Sequence, residues 1–98
     1  MNSAVPYRSR LRIRDLAVAL DRDDEPIAAT WRRVSESAGK LQLPRPSYPH
    51  VRRVVQAERE RRRLVADVLQ EAASTIAAGR APDFDYMMER LREASVIE

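Results

Sequence analysis

From Val51 to Ala78 the chain contains neither proline nor glycine. Nothing in those residues stops a helix, so the run predicts one helix of about 30 residues, roughly 45 Å long at 1.5 Å per residue. In a chain of 98 residues so long an element leaves room mainly for segments that lie along it, and the expected fold class is all-α. Composition agrees. Six prolines, two glycines and 5% aromatic residues, with alanine, leucine, arginine and glutamate filling the long stretches, favour helices. A chain of this size buries only about 60 to 65% of its unfolded surface, so a second copy would add to its stability.

Apolar spacing places three further helices. Ile13, Leu16, Ala17 and Leu20 form a helical stripe within residues 9–20. Just before it Arg8, Arg10, Arg12 and Arg14 alternate with Ser9, Leu11 and Ile13, which leaves an extended arm as the alternative. Asp21, Asp23, Asp24 and Glu25 lead into Pro26, and acids followed by proline suit the positive start of a helix. This second helix is expected over residues 26–38, burying Ile27, Trp31, Val34 and Ala38, with Gly39 as its stop. On the long helix, Val51, Val54 and Val55 share one face, the segment ERERRR at residues 58–63 has no apolar stripe, and Val65, Leu69, Ala72 and Ile76 resume one. Gly79, Pro82 and Asp83 then supply a stop, a breaker and a cap, and a last helix carries Phe84, Met87, Met88, Leu91 and Ala94 on one side. Two antiparallel helices result. Their stripes call for pairing with a second copy into a four-helix bundle, with Val65, Leu69, Ala72, Ile76, Phe84, Met87, Met88 and Leu91 as the dimer interface.

The net charge of +3 conceals an asymmetry. Residues 1–30 carry five arginines against five acids; residues 31–63 carry nine arginines and Lys40 against Glu36, Glu58 and Glu60, for +7; residues 64–98 carry three arginines against seven acids, for −4. A GC-rich genome accounts for arginine being preferred to lysine, but not for this segregation. Basic charge concentrated in one segment is the electrostatic footprint of a polyanion partner.

That segment opens with LQLPRPSYPHVRRVV, residues 41–55, in which three prolines, a serine and a tyrosine precede an arginine pair set among valines. Leu41 and Leu43 are expected to fix the turn onto the core, Pro44 and Pro46 to keep it extended, Ser47 to cap the long helix and Pro49 to lie in its first turn. Val51, Val54 and Val55 then face inward, and Pro49, Arg52, Arg53 and Gln56 outward. Two helices joined by a stiff turn, the polar face of the second left free, resemble the helix-turn-helix of small bacterial and phage regulators and of transposase or recombinase N-terminal domains. The resemblance covers residues 26–56 and is carried by Trp31 and Val34 on the supporting helix, Leu41 and Leu43 before the turn, and PSYPHVRRVV after it. It departs from the family in its longer, proline-rich connection, where a turn of three or four residues with a central glycine is usual.

The resemblance implies a three-helix head at residues 8–60, whose third helix enters the major groove of double-stranded DNA, and a dimerising hairpin at residues 61–98. Arg52, Arg53 and Gln56 would read bases, since arginine forks onto guanine and glutamine onto adenine. Pro49 and His50 would touch base edges or sugars, and Arg45, Ser47 and Tyr48 would hold phosphates. Ser47 reads equally as a plain cap, and Tyr48 as a partly buried aromatic. Arg59 and its neighbours Arg61, Arg62 and Arg63 point around the helix, so they meet one backbone only in part or line a solvated stalk. Arg10 and Arg12 would follow a minor groove if the N-terminus is an arm.

Other classes fit less well. One histidine, no cysteine and no glycine-rich phosphate loop give no convergent catalytic groups, so no enzyme and no cofactor are expected. The segment DRDDE lacks the alternate spacing and turn glycine of a calcium loop, so no metal site is expected either. No stretch nears the roughly 20 apolar residues of a membrane span, and no apolar signal core follows the first residues. The expectation is a cytoplasmic protein without a membrane partner. A protein-interaction module is the rival reading, an antitoxin or phage-encoded inhibitor whose C-terminal helices bind a protein partner; the acidic, methionine-bearing last helix motivates it. RNA ranks third, because no aromatic stacking platform is apparent.

Overall fold

The computed structural model describes residues 12–96. Among them are four α-helices and no strand: α1 (Ile13–Leu20), α2 (Ile27–Lys40), α3 (Tyr48–Ala77) and α4 (Phe84–Ser95). The chain is all-α, and α3 runs unbroken through 30 residues. Two compact units divide between Gln56 and Ala57.

The first unit is built on small, β-branched and alanine side chains. Ala17 of α1, Val34 of α2 and Val51 and Val55 of α3 are fully buried, with Ile13, Leu16, Leu20, Ile27, Trp31 and Val54 packed around them. These are the apolar stripes of the sequence, so the helical spacing that marks each segment also selects its inward face. Polar bonds fix how α1 joins α2. The fully buried Thr30 hydroxyl donates to Asp21 Oδ1 at 2.6 Å. Arg33 donates through Nε and Nη2 to the Leu20 carbonyl, at 3.2 and 3.0 Å, and its Nη1 pairs with Glu25 at 2.6 Å. The carbonyl at the end of α1 has no partner within its own helix, and Arg33 supplies one.

The two ends of α2 differ from the sequence expectation. Pro26 is the residue before the helix and not its first member. Gly39 lies inside the helix, which continues through Lys40 and ends with Gln42 at φ 60°. The Leu43 N–H donates to the Ala38 carbonyl at 2.8 Å and the Gln42 N–H to the Gly39 carbonyl at 3.1 Å. This pair of bonds closes a helix when one residue turns left-handed, a conformation glycine adopts at least cost. Here glutamine adopts it, three residues after the glycine that the sequence offers as the stop.

In the second unit α3 and α4 run antiparallel, the Arg61 guanidinium donating to the Ala94 carbonyl near one end while Ala72 and Met87 line a common cleft near the other. Val68, Ala72 and Ala94 are its buried apolar residues. The turn between the helices follows the sequence expectation. Gly79 is left-handed at φ 79°, Arg80 N–H donates to Thr75 and Gly79 N–H to Ile76, and Asp83 caps α4 by accepting the Tyr86 N–H at 3.1 Å. Ahead of α1, Arg12 is extended and exposed, its N–H held by Asp15 at 3.1 Å. Arg8, Arg10 and the remainder of the arm expected before it lie outside the described residues.

Candidate nucleic-acid interface

The connection from α2 to α3 is organised by Trp31. Its indole N–H donates to the carbonyl of the buried Pro46 at 3.1 Å, the Arg45 guanidinium sits 5.0 Å from the indole ring centroid, and the Tyr48 ring meets it edge-on at 5.8 Å. One side chain thus holds three of the four residues that precede or begin α3. Ser47, the fourth, caps the helix, its hydroxyl accepting the His50 N–H at 3.3 Å. Leu41 and Leu43 are half-buried beside this turn. Proline stiffness and the Trp31 contacts together fix where α3 begins.

Beyond that start, the buried Val51 and Val55 leave Arg52, Arg53 and Gln56 exposed on the opposite side, together with Pro49. Arg52 makes no hydrogen bond or ion pair among the described residues, and Arg53 approaches only His50 Nδ1, at 3.4 Å. Arg45 has its cation–π contact but no carboxylate partner. On α2, Arg32 and Lys40 are exposed and likewise unpaired among the described residues. An unneutralised guanidinium held on a helix face retains its donors for an incoming acceptor. Tyr48 is 37% exposed and packs on Trp31, which agrees with the partly buried alternative for its ring while leaving its hydroxyl without a partner among the described residues.

The +7 segment is less basic in space than in sequence. Arg33 is consumed by Leu20 and Glu25, and Arg61 and Arg62 both pair with Glu58. Arg59 is half-buried and also engaged, whereas Arg63 is exposed and lies 4.0 Å from Glu60. Among the described residues, the cations of this segment without a carboxylate partner are therefore Arg32, Lys40, Arg45, Arg52 and Arg53. Arg32 and Lys40 were not singled out by the sequence pattern; their exposure on α2 is the signal, since they fall off the stripe of Ile27, Trp31, Val34 and Ala38. The organising role of Trp31 was equally hidden, because its apolar ring marks it as core and nothing in the spacing names the carbonyl its N–H reaches.

The residues expected at a dimer interface separate into two groups. Ala72 is buried within the second unit, and Val65, Met87 and Leu91 are half-buried there. Leu69, Ile76, Phe84 and Met88 are 56%, 61%, 66% and 55% exposed. The same unit has an open cleft of about 270 Å³ of mixed lining, with Glu71, Thr75 and Asp83 beside Ala72, Pro82 and Met87 and with Tyr86 at its wall. Arg90 donates to the Tyr86 hydroxyl at 2.9 Å, and that bond raises the guanidinium pKa above its ordinary value. Among the described residues no cluster of three or more histidine, aspartate or glutamate side chains is placed to hold a metal ion, and no helix is long and apolar enough to cross a membrane. Compared with known protein families, curated proteins and solved structures, the chain matches none.

Proposed function

We propose that the first unit binds double-stranded DNA, as the head of a small, homodimeric transcriptional regulator, with the start of α3 in the major groove. One observation carries the reading: Arg52, Arg53 and Gln56 stand exposed and without carboxylate partners on the side of α3 opposite the buried Val51 and Val55. Forked donors on arginine and the amide of glutamine are the groups that read guanine and adenine edges. Arg45, Arg32 and Lys40 add unpaired cations for phosphates, which supply affinity but no sequence information. Ser47 and Tyr48 contribute hydroxyls at the same end, and Pro49 and His50 lie between them and the readers.

Binding of the full chain to a duplex over a salt series tests this. The expected result is binding at about 50 mM salt that weakens steeply as salt rises, with a slope reduced by about 1 for each phosphate-contacting arginine removed. Arg52→Ala with Arg53→Ala should weaken binding at least tenfold, at about 1 to 3 kcal/mol for each lost bidentate contact. No binding at low salt, or full affinity in the double variant, would sink the assignment. The rival, a module whose C-terminal helices bind a different protein, draws on the exposed apolar side chains of the second unit. It predicts a monomer in isolation.

A further inference from the structure

Six of the seven large apolar side chains that the structure leaves most exposed lie in the second unit: Leu69, Ile76, Phe84, Tyr86, Met88 and Val96, against Tyr48 in the first. Four of them share one side of the hairpin. Val68, Ala72 and Met87 lie along the seam between α3 and α4. Because the two helices have the same hand and run in opposite directions, the residue that follows a seam residue leans to the same side of the hairpin on both. Leu69 follows Val68, Ala73 follows Ala72 and Met88 follows Met87, while Ile76 and Phe84 lie one helical turn from Ala73 and Met88 on the same stripes. Residues that precede the seam, Glu71 and Tyr86, lean to the other side, and both line the cleft there. The hairpin therefore has Leu69, Ala73, Ile76, Phe84 and Met88 on one side, bordered away from the Gly79 turn by Arg62 and Arg92, which pair with Glu58 and Glu89, and Glu71 and Tyr86 on the other.

We propose that this apolar side is the surface on which a second copy of the chain docks, hairpin against hairpin, and that the cleft side remains outside the interface. The occupant follows from two observations. Within one copy the hairpin buries Val68, Ala72 and Ala94, and two alanines and a valine are a small core for a unit of this length, so the cover must be present whenever the chain is. A second copy meets that condition. At ~100 Å² of exposed surface for each of the four large side chains, the side offers ~400 Å² before its half-buried flanks are counted, at the scale of functional patches and about half of the ~800 Å² each partner buries in a standard interface. The proposed interface keeps Leu69, Ile76, Phe84 and Met88 of the one expected from sequence and adds Ala73, while Ala72 is buried within the copy.

This inference rests on the dimeric reading and is independent of DNA binding. The full chain, studied by light scattering and sedimentation, should be a dimer. Leu69→Glu with Met88→Glu should raise the dissociation constant about 30-fold or more while helicity is retained, because both positions are already more than half exposed; Glu71→Lys should leave the dimer intact. A second measurement does not depend on a disruptive change. The chain has no cysteine, so Ala73→Cys and Gln70→Cys each introduce a single thiol, and the thiol at 73 should react with a maleimide at least about tenfold more slowly than that at 70. A monomeric wild-type chain with equal labelling at both sites would overturn the dimer itself. A dimer that survives the double glutamate variant, or that labels equally at both positions, would overturn the choice of side and leave the dimer standing.

Discussion

The chain has two glycines, and replacing each by alanine should move stability in opposite directions. Neither position offers a steric reason: a Cβ built at Gly39 or at Gly79 meets no atom within 4 Å. What differs is the backbone. Gly39 is helical and one residue from the last residue of α2, whereas Gly79 is left-handed at φ 79°. Inside a helix alanine is favoured over glycine by about 1 kcal/mol; so near the end, about 0.5 kcal/mol of stabilisation is expected for Gly39→Ala. At Gly79 an L-residue meets a left-handed penalty of about 1 to 2 kcal/mol, partly offset by the lower entropy of its unfolded chain, leaving about 1 kcal/mol of destabilisation. Urea unfolding followed by far-UV circular dichroism measures both variants, and the emission of Trp31, the single tryptophan, follows the first unit. With about 4 to 8 °C for each kcal/mol in a domain of this size, melting should rise by about 3 °C in one variant and fall by about 6 °C in the other. A loss of stability in Gly39→Ala would mean that Gly39, not Gln42, turns left-handed, and would refute the account of how α2 ends.

Two further substitutions probe the start of α3. Ser47→Ala should cost about 1 kcal/mol through loss of the cap to His50 N–H, and Ser47→Gly only a few tenths, read as urea midpoints; equal losses would deny the hydroxyl its capping role. Trp31→Phe retains a ring for Arg45 and Tyr48 but strands the buried Pro46 carbonyl. It should destabilise the first unit by about 1 to 3 kcal/mol by circular dichroism, and by loosening the turn weaken duplex binding more than it changes helix content. Unaltered stability would show that the indole N–H does not hold the turn.

Periodicity revealed the inward faces, and tertiary polar contacts accounted for most of what it concealed. The stripes Ile13 to Leu20, Ile27 to Ala38 and Val51 to Val55 are local patterns, and the apolar core of the first unit is drawn from them, while the buried Thr30 and Pro46 lie off them. The unbroken length of α3 was legible because helix breakers are single residues, and their absence is read directly. The end of α2 was not, because the left-handed residue is chosen by where Leu43 and the prolines after it must run, which overrides the local advantage of glycine. At the candidate interface, the outward placement of Arg52, Arg53 and Gln56 followed from the valines. Which arginines are spent internally did not, since the partners of Arg33 and Arg61 include the Leu20 and Ala94 carbonyls, 13 and 33 residues away. On the hairpin, alanine at 72 reads as one more member of a stripe until α4 is in place and shows that it is already covered.

Arg33 illustrates what counting charges leaves out. Its planar head spans two acceptors at once, a main-chain oxygen closing one helix and a carboxylate in the following turn. An ammonium group is a compact point of charge and cannot bridge both with the same fixed geometry. A version of this chain with lysine at every arginine position would have the same formal charge of +3 and migrate alike in an electric field, yet its first two helices would lose a rivet.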